Sequence, residues 1–319
     1  MADLLKYRIP TEPVIKQTGT FFELDSLLEA DGFVLTDFNQ TRIFGFKPSE
    51  EEGIISFSSE VPFVINESDY LNQATAFIAE LENQHLNKAV FSRIKAIDFE
   101  GEKATCLFEK LCTAYPNAFV YLVSSELFGT WVGATPETLL EVNASTFKTM
   151  SLAGTKKAAD ETPWREKETL EQRYVTDFIL NEIQKLENVE VAMNGPYTFV
   201  AGPVKHLRTD VQFSSETLNG LKLAQVLHPT PAVSGLPRRE ALDVIASLEQ
   251  HNRGFYSGCI GWTSNNKSRL YVNLRCCQLQ EQKAYLYLGG GFTIDSKPNE
   301  EWEETENKSK TLLNILQNL

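Results

Sequence analysis

The sequence lacks any run of lysine or arginine that could track a phosphate backbone, and its 319 residues carry a formal net charge of −13. Nucleic acid and anionic membrane surfaces are therefore not expected partners. No stretch of about 18 apolar residues is present to cross a bilayer, and the opening MADLLKYRIP has no apolar signal region. A cytoplasmic location is expected. Cysteine is sparse: Cys106, Cys112, Cys259, Cys276 and Cys277 are odd in number, scattered and without a C-x-x-C pair. Adjacent Cys276 and Cys277 would point to opposite faces of a strand, so reduced thiols are expected. Internal repeats, low-complexity tracts and Pro/Ser linkers are missing as well, which leaves one domain over 1–319 as the expectation.

What is present is enough apolar material, 42% of residues, to bury a substantial core. Short strands are expected at GFVLTDF, RIFGF and GIISFSS within 30–66, then a helix over 68–86 capped near Ser68. Further strands are read at AVFSRIKAI, AFVYLVSS, GTWVGATP, TLLEVNAS and TFKTMSLAG, followed by a long helix near 163–187. The stretch 191–213, helices at 215–226 and 238–249, three strand-like runs from Tyr256 on, and a final helix at 299–317 complete the chain. Strands broken by isolated helices, without βαβ alternation, predict an α+β fold with largely antiparallel sheets.

Two helices carry acids on faces that should be apolar. In the last helix Glu301, Glu304 and Lys308 share one face, which continues into Leu312, Ile315 and Leu319. Glu300, Glu303 and Glu306 lie elsewhere on the circumference and are read as solvated. In the long helix Glu171 falls within the stripe Leu170, Tyr174, Val175, Phe178, Ile179, Ile183 and Leu186, with Glu168 one turn earlier. A carboxylate within a buried stripe is costly unless it is paired or metal-bound. Two such helices make an all-oxygen site for Mg²⁺, and a salt bridge with Lys308 is the structural alternative. Spacing alone leaves both open.

Nine segments in order resemble the motif blocks of the chorismate-utilising enzymes, a family that includes isochorismate, salicylate, anthranilate and aminodeoxychorismate synthases. They are KAVFSR (88–93), GATPETLLEV (133–142), LAGT (152–155), EKETLEQRYV (166–175), LHPTPAVSGLP (227–237), FYSGCIGW (255–262), NLRC (273–276), LGGGF (288–292) and EWEETENK (301–308). Residues 1–85 match less clearly than the motif-bearing 86–319. The resemblance implies two large, stacked, mostly antiparallel sheets with helices outside and the active site in a deep cleft.

It also implies a reaction: a nucleophile adds at C2 of chorismate while the C4 hydroxyl leaves, with Mg²⁺ gripping the ring carboxylate. Lys88 corresponds to the base that activates water, and Glu137 to the acid that protonates the leaving hydroxyl. Glu171 and Glu304 would hold Mg²⁺, with Glu168 and Glu301 completing the shell. Arg275, Lys308, Tyr256, the backbone N–H groups of Gly290 and Gly291, Gly154 and Thr155 of the LAGT block, and His228 match the substrate-binding set.

Two positions separate the siblings. Ala153 stands where aminodeoxychorismate synthases carry a lysine nucleophile, and Ala232 where ammonia-using relatives carry threonine. Together with Lys88, and with no glutamine amidotransferase domain read in the sequence, they point to water as nucleophile. Gln172 in place of histidine and Val233 in place of leucine depart from the family's pattern. The expectation is a cytoplasmic, Mg²⁺-dependent isochorismate synthase serving menaquinone or siderophore biosynthesis, monomeric or homodimeric. A salicylate synthase that also eliminates pyruvate, and a non-catalytic chorismate-binding homologue, are the alternatives.

Overall fold

The computed structural model describes residues 1–186 and 189–319. The strands are β1 Asp3–Arg8, β2 Ile15–Glu23, β3 Gly32–Thr36, β4 Ile43–Ser49, β5 Lys88–Asp98, β6 Phe119–Ser125, β7 Gly129–Thr135, β8 Thr138–Asn143, β9 Thr146–Lys157, β10 Ala192–Ala201, β11 Val204–Ser214, β12 Gly235–Leu236, β13 Cys259–Ser264, β14 Lys267–Val272, β15 Cys276–Leu279 and β16 Lys283–Phe292. The helices are α1 Glu67–Asn83, α2 Ala104–Ala114, α3 Glu166–Gln184, α4 Gly220–Leu227, α5 Arg238–Leu248 and α6 Pro298–Leu316.

Among the described residues every pairing between these sixteen strands is antiparallel, in the order β10-β11-β9-β8-β14-β13-β3-β4-β2-β1-β6-β7-β15-β16-β5-β12. The fold class is therefore the expected α+β, with one difference. Two sheets were expected, and the strands form one continuous ladder whose halves fold over each other. Phe119 of β6 stacks on Tyr271 of β14 at 4.5 Å although five strands separate them in the ladder. Tyr7 of β1 likewise meets Phe33 of β3 at 5.4 Å. The right-handed twist of long sheets favours this folding over, which buries the aromatic inner face.

Local chemistry explains the helices that flank the site. Asn66 caps α1 by accepting from the Asp69 N–H at 3.0 Å, so the cap lies two residues before the expected Ser68. Asn219 caps α4 at Lys222 N–H, which starts that helix at 220 rather than 215. In α3, Val175, Phe178, Ile179 and Ile183 pack into the core beneath β9 and β11, while Leu170 is exposed and not part of the buried stripe. The expected end of that helix at 187 lies outside the described residues. GIISFSS is not a strand beyond an isolated bridge at Gly53, because side chains take its backbone groups. Ser56 N–H donates to Ser124 Oγ at 2.7 Å and Ser56 C=O accepts from Thr130 Oγ1 at 2.6 Å. The strands β1 and β2 and the helix α2 are additions to the sequence reading. All five cysteines are free thiols, and no helix among the described residues is long and apolar enough to cross a membrane.

Candidate active site

A cleft enclosing about 690 Å³ of non-atom space, its open mouth included, lies where β5 and β16 meet α3 and α6. Lys88 enters from the start of β5, Glu137 from the turn between β7 and β8, Glu171 from α3, Glu304 and Lys308 from α6, and Arg275 from the turn before β15. Gly154, Thr155, Tyr256, Ala153 and Ala232 line the same walls.

The three glycines of β16 make room for this assembly. A Cβ on Gly289 would stand 2.6 Å from the Tyr256 hydroxyl, one on Gly290 3.1 Å from Glu301 Oε2, and one on Gly291 2.9 Å from Lys88 Cε and 3.1 Å from Glu171 Oε2. The sequence reading assigned Gly290 and Gly291 backbone donors. Val90 N–H bonds Ser234 C=O, away from β16, so its partner Gly291 does not bond β5 either. Lys308 Nζ donates to Gly289 C=O at 2.8 Å from the same open side. In an antiparallel ladder a residue's N–H and C=O point the same way and alternate along the strand. Gly291 thus keeps an N–H facing the open side, whereas Gly290 is turned toward Phe91 of β5, which corrects its assignment as a donor.

Burial decides the charges. Lys88 is 2% exposed and its ammonium stands 3.9 Å from Glu171 Oε2. Desolvation lowers its pKa below the ordinary lysine value, with Glu171 opposing and Lys308 adding to the shift. Glu137 is 3% exposed, and desolvation pushes its carboxyl up to about 8 against the pull of Lys88 and Arg275. Desolvation also raises Glu171, and it raises Glu301 to about 7 with help from neighbouring Glu304. Burial acts on Glu304 in the same direction, but the Lys308 ammonium at 2.6 Å and Lys167 hold it below the usual range. Tyr256 is raised by burial to about 12 and so remains a hydroxyl donor.

The anion-binding side centres on Arg275, whose φ of 50° lies in the left-handed region. Such a conformation persists in a non-glycine residue only when its surroundings enforce it. Here Asn273 does so: it accepts from Tyr121 OH at 2.8 Å, donates to Phe255 C=O at 2.9 Å, and its backbone pairs with Ser257 and Gly258. The guanidinium donates to Lys308 C=O at 3.3 Å and to His206 Nε2 at 3.1 Å. His206 Nδ1 lies 2.9 Å from Gly154 C=O, so the neutral ring donates there and accepts from Arg275. Desolvation, then Arg275 and Lys308, push its pKa down to about 3. Gly154, at φ +67°, is the extra residue of a bulge between β9 and β11 that aims Thr155 and His206 into the cleft.

Several assignments change in three dimensions. His228, expected in the pocket, is buried elsewhere with Nε2 bonded to Phe38 C=O at 3.0 Å; the cleft histidine is His206, which no motif block contained. Glu168, expected in the metal shell, commits both oxygens to Arg165, accepting from its guanidinium at 2.6 and 2.9 Å and its N–H at 2.9 Å. It caps α3 and would have to release Arg165 to bind an ion directly. Glu306, read as solvated, bonds Lys95 at 2.5 Å and pairs with buried Arg93. The structural alternative with Lys308 is realised at Glu304, and Lys167 pairs with Glu301 and, at 3.7 Å, with Glu171. Lys167 was missed although it lies four residues before Glu171, one turn away on the same face. Gln172, standing where the family has histidine, ties α3 to the sheet through Ser151 at 2.9 Å and Thr209 at 2.7 Å.

An outer clamp holds the strand that carries Lys88. β12 covers β5 for two residues only, and Arg253 then continues the edge, donating to Val90 C=O and Val233 C=O, each at 2.8 Å. Its partner Glu249 accepts from Ser92 N–H at 2.6 Å. One buried ion pair thus fixes the Lys88 strand against the loop bearing Ala232.

An α+β ladder folded over a cleft that holds a buried ammonium, a protonated carboxyl and a guanidinium defines a site for acid–base chemistry on an anionic small molecule. The chain belongs to the chorismate binding enzymes, whose family model matches residues 46–317. It is 31% identical over 245 residues to isochorismate synthase EntC of Escherichia coli K12, covering 72% of this chain and 62% of that protein. It is 28% identical over 298 residues to isochorismate synthase MenF of Bacillus subtilis 168, covering 89% of this chain and 60% of that one. The chain thus spans about three fifths of the length of these curated relatives. The same fold occurs in the crystal structure of a putative 2,3-dihydroxybenzoate-specific isochorismate synthase, DhbC, from Bacillus anthracis, with a TM-score of 0.82 at 22% identity over 99% of this chain and 96% of that one. Anthranilate synthase component I from Streptococcus pneumoniae shares it with a TM-score of 0.73 at 18% identity, over 97% of this chain and 89% of that one.

Proposed function

We propose that the protein is a Mg²⁺-dependent isochorismate synthase that adds water at C2 of chorismate as the C4 hydroxyl leaves. The observation that carries this reading is the pair Lys88 and Glu137 on one cleft, with the ammonium easier to deprotonate than usual and the carboxyl protonated up to about pH 8. A base whose proton is loosened by burial, and an acid that keeps its own near neutrality, are what water addition with loss of the C4 hydroxyl requires.

Lys88 takes a proton from the attacking water, and Glu137 gives its own to the departing C4 oxygen. Arg275 binds a substrate carboxylate through its planar fork, oriented by neutral His206, with Lys308, Tyr256 and the Gly291 N–H as further donors. Ala153 and Ala232 line the cleft where the resemblance puts a lysine nucleophile or a threonine in sibling enzymes, which favours water as the nucleophile.

Glu171, Glu301 and Glu304 offer hard oxygen donors of the kind Mg²⁺ takes, from two neighbouring helices. Glu301 Oε2 is buried without a hydrogen-bond partner, as a carboxylate oxygen awaiting a cation would be. Bound there, Mg²⁺ would neutralise the substrate's ring carboxylate.

The test is incubation of the protein with chorismate, with and without Mg²⁺, followed by chromatography and a pyruvate assay. Isochorismate accumulating toward equilibrium without pyruvate supports the reading. Salicylate with stoichiometric pyruvate replaces it with a salicylate synthase, and absence of turnover with Mg²⁺ defeats it.

A further inference from the structure

We propose that the Lys167 ammonium is a tethered cation holding Glu171 and Glu301 until Mg²⁺ displaces it, so that a side chain of the protein itself sets metal affinity. The inference rests on the reading of this cleft as a Mg²⁺ site. Lys167 lies in the first turn of α3, and its Nζ sits between the carboxylates that the two helices present, paired with Glu301 Oε1 and 3.7 Å from Glu171 Oε1.

Each of the three carboxylates that α3 and α6 present here, Glu171, Glu301 and Glu304, has its own lysine. Lys88 faces Glu171 Oε2, Lys308 faces Glu304, and Lys167 faces Glu301 and the other oxygen of Glu171. Two of these lysines have reasons to stay. Lys88 is buried in the cleft wall on β5, and Lys308 is also bonded to Gly289 C=O. Lys167 has only carboxylate partners among the described residues, and its side chain is 21% exposed, so its flexible stem has a way out to solvent.

The arrangement solves a problem that the acidic cluster poses. Without cations, three carboxylates presented by two adjoining helices repel one another and resist burial. The ammonium cancels part of that repulsion and lets the cleft form without metal. With the ammonium in place the acids stand apart: among the described residues no group of three His, Cys, Asp or Glu side chains is gathered as metal ligands. A divalent ion offers twice the charge, and the work of lifting Lys167 out is subtracted from its binding.

The experiment is calorimetric titration of Mg²⁺ alone, without substrate, into the wild-type protein and Lys167→Met, with thermal melts of both in EDTA and in saturating Mg²⁺. Removing one unit charge at this distance should tighten Mg²⁺ binding by about tenfold or more. The variant should melt lower than wild type in EDTA and gain more from Mg²⁺. Equal or weaker Mg²⁺ binding by the variant, with wild type binding normally, overturns the tethered-cation role and leaves the metal site standing. No Mg²⁺ binding by either protein overturns both. Should the variant not fold in EDTA, recovery of its circular dichroism on adding Mg²⁺ supports the proposal, and failure to recover defeats it.

Discussion

Glu137→Gln separates the proposed acid's chemistry from its cost to stability. In the folded protein burial keeps the Glu137 carboxyl protonated up to about pH 8, from an ordinary value of 4.5. The unfolded chain releases that proton near 4.5, so between these values the folded state binds more protons and loses stability as pH rises. The contribution is fully present below pH 4.5 and gone above about 8. At about 1.4 kcal/mol per pH unit the loss across the window approaches 5 kcal/mol, of which about 3 kcal/mol is incurred by pH 7. Glutamine does not titrate, and any cost of burying its amide is constant with pH. The difference in unfolding free energy between variant and wild type should therefore climb in the variant's favour from pH 5 to pH 8. Urea unfolding of both proteins at pH 5, 6, 7 and 8, in EDTA, measures it, while turnover of the variant should fall by about 10²–10⁴. A difference that stays flat with pH would mean that Glu137 is ionised in the folded protein and cannot serve as the acid.

Other substitutions test the rest of the site. Lys88→Ala should lower kcat by about 10²–10⁴ with chorismate KM little changed, since a base acts in the transition state; intact kcat would refute the base assignment. His206→Asn should raise KM by loosening Arg275, whereas His228→Asn should leave KM unchanged; the opposite pattern in chorismate kinetics would restore His228 to the pocket. Arg253→Ala leaves Glu249 buried without its partner and should cost about 3–5 kcal/mol of stability. Denaturant melts check it, and a loss below about 1 kcal/mol would show that the clamp is not needed to hold β5.

The sequence by itself determined what depends on local spacing and composition. Periodicity put Glu301, Glu304 and Lys308 on one face of α6, and the structure keeps them there. Strand and helix signals gave the α+β class, and most elements fall within a few residues of their expected bounds. The ordered blocks brought Lys88, Glu137, Glu171, Arg275 and Glu304 into one set, and one cleft contains all five.

Only the tertiary structure decided which charge meets which. Lys167 and Glu301 are 134 residues apart, and Arg275 and His206 are 69 apart. Such pairs are set by where the folded-over ladder brings distant strands and helices together, which no local period encodes. Two of the chain's four histidines are buried, His206 and His228, and the one that meets Arg275 is His206, on the strand facing the Gly154 bulge. Glu168 pointed to the right side of its helix, yet Arg165, three residues away, satisfied it first. A single turn of helix gives a side chain its direction, but the partner it finds depends on the rest of the fold.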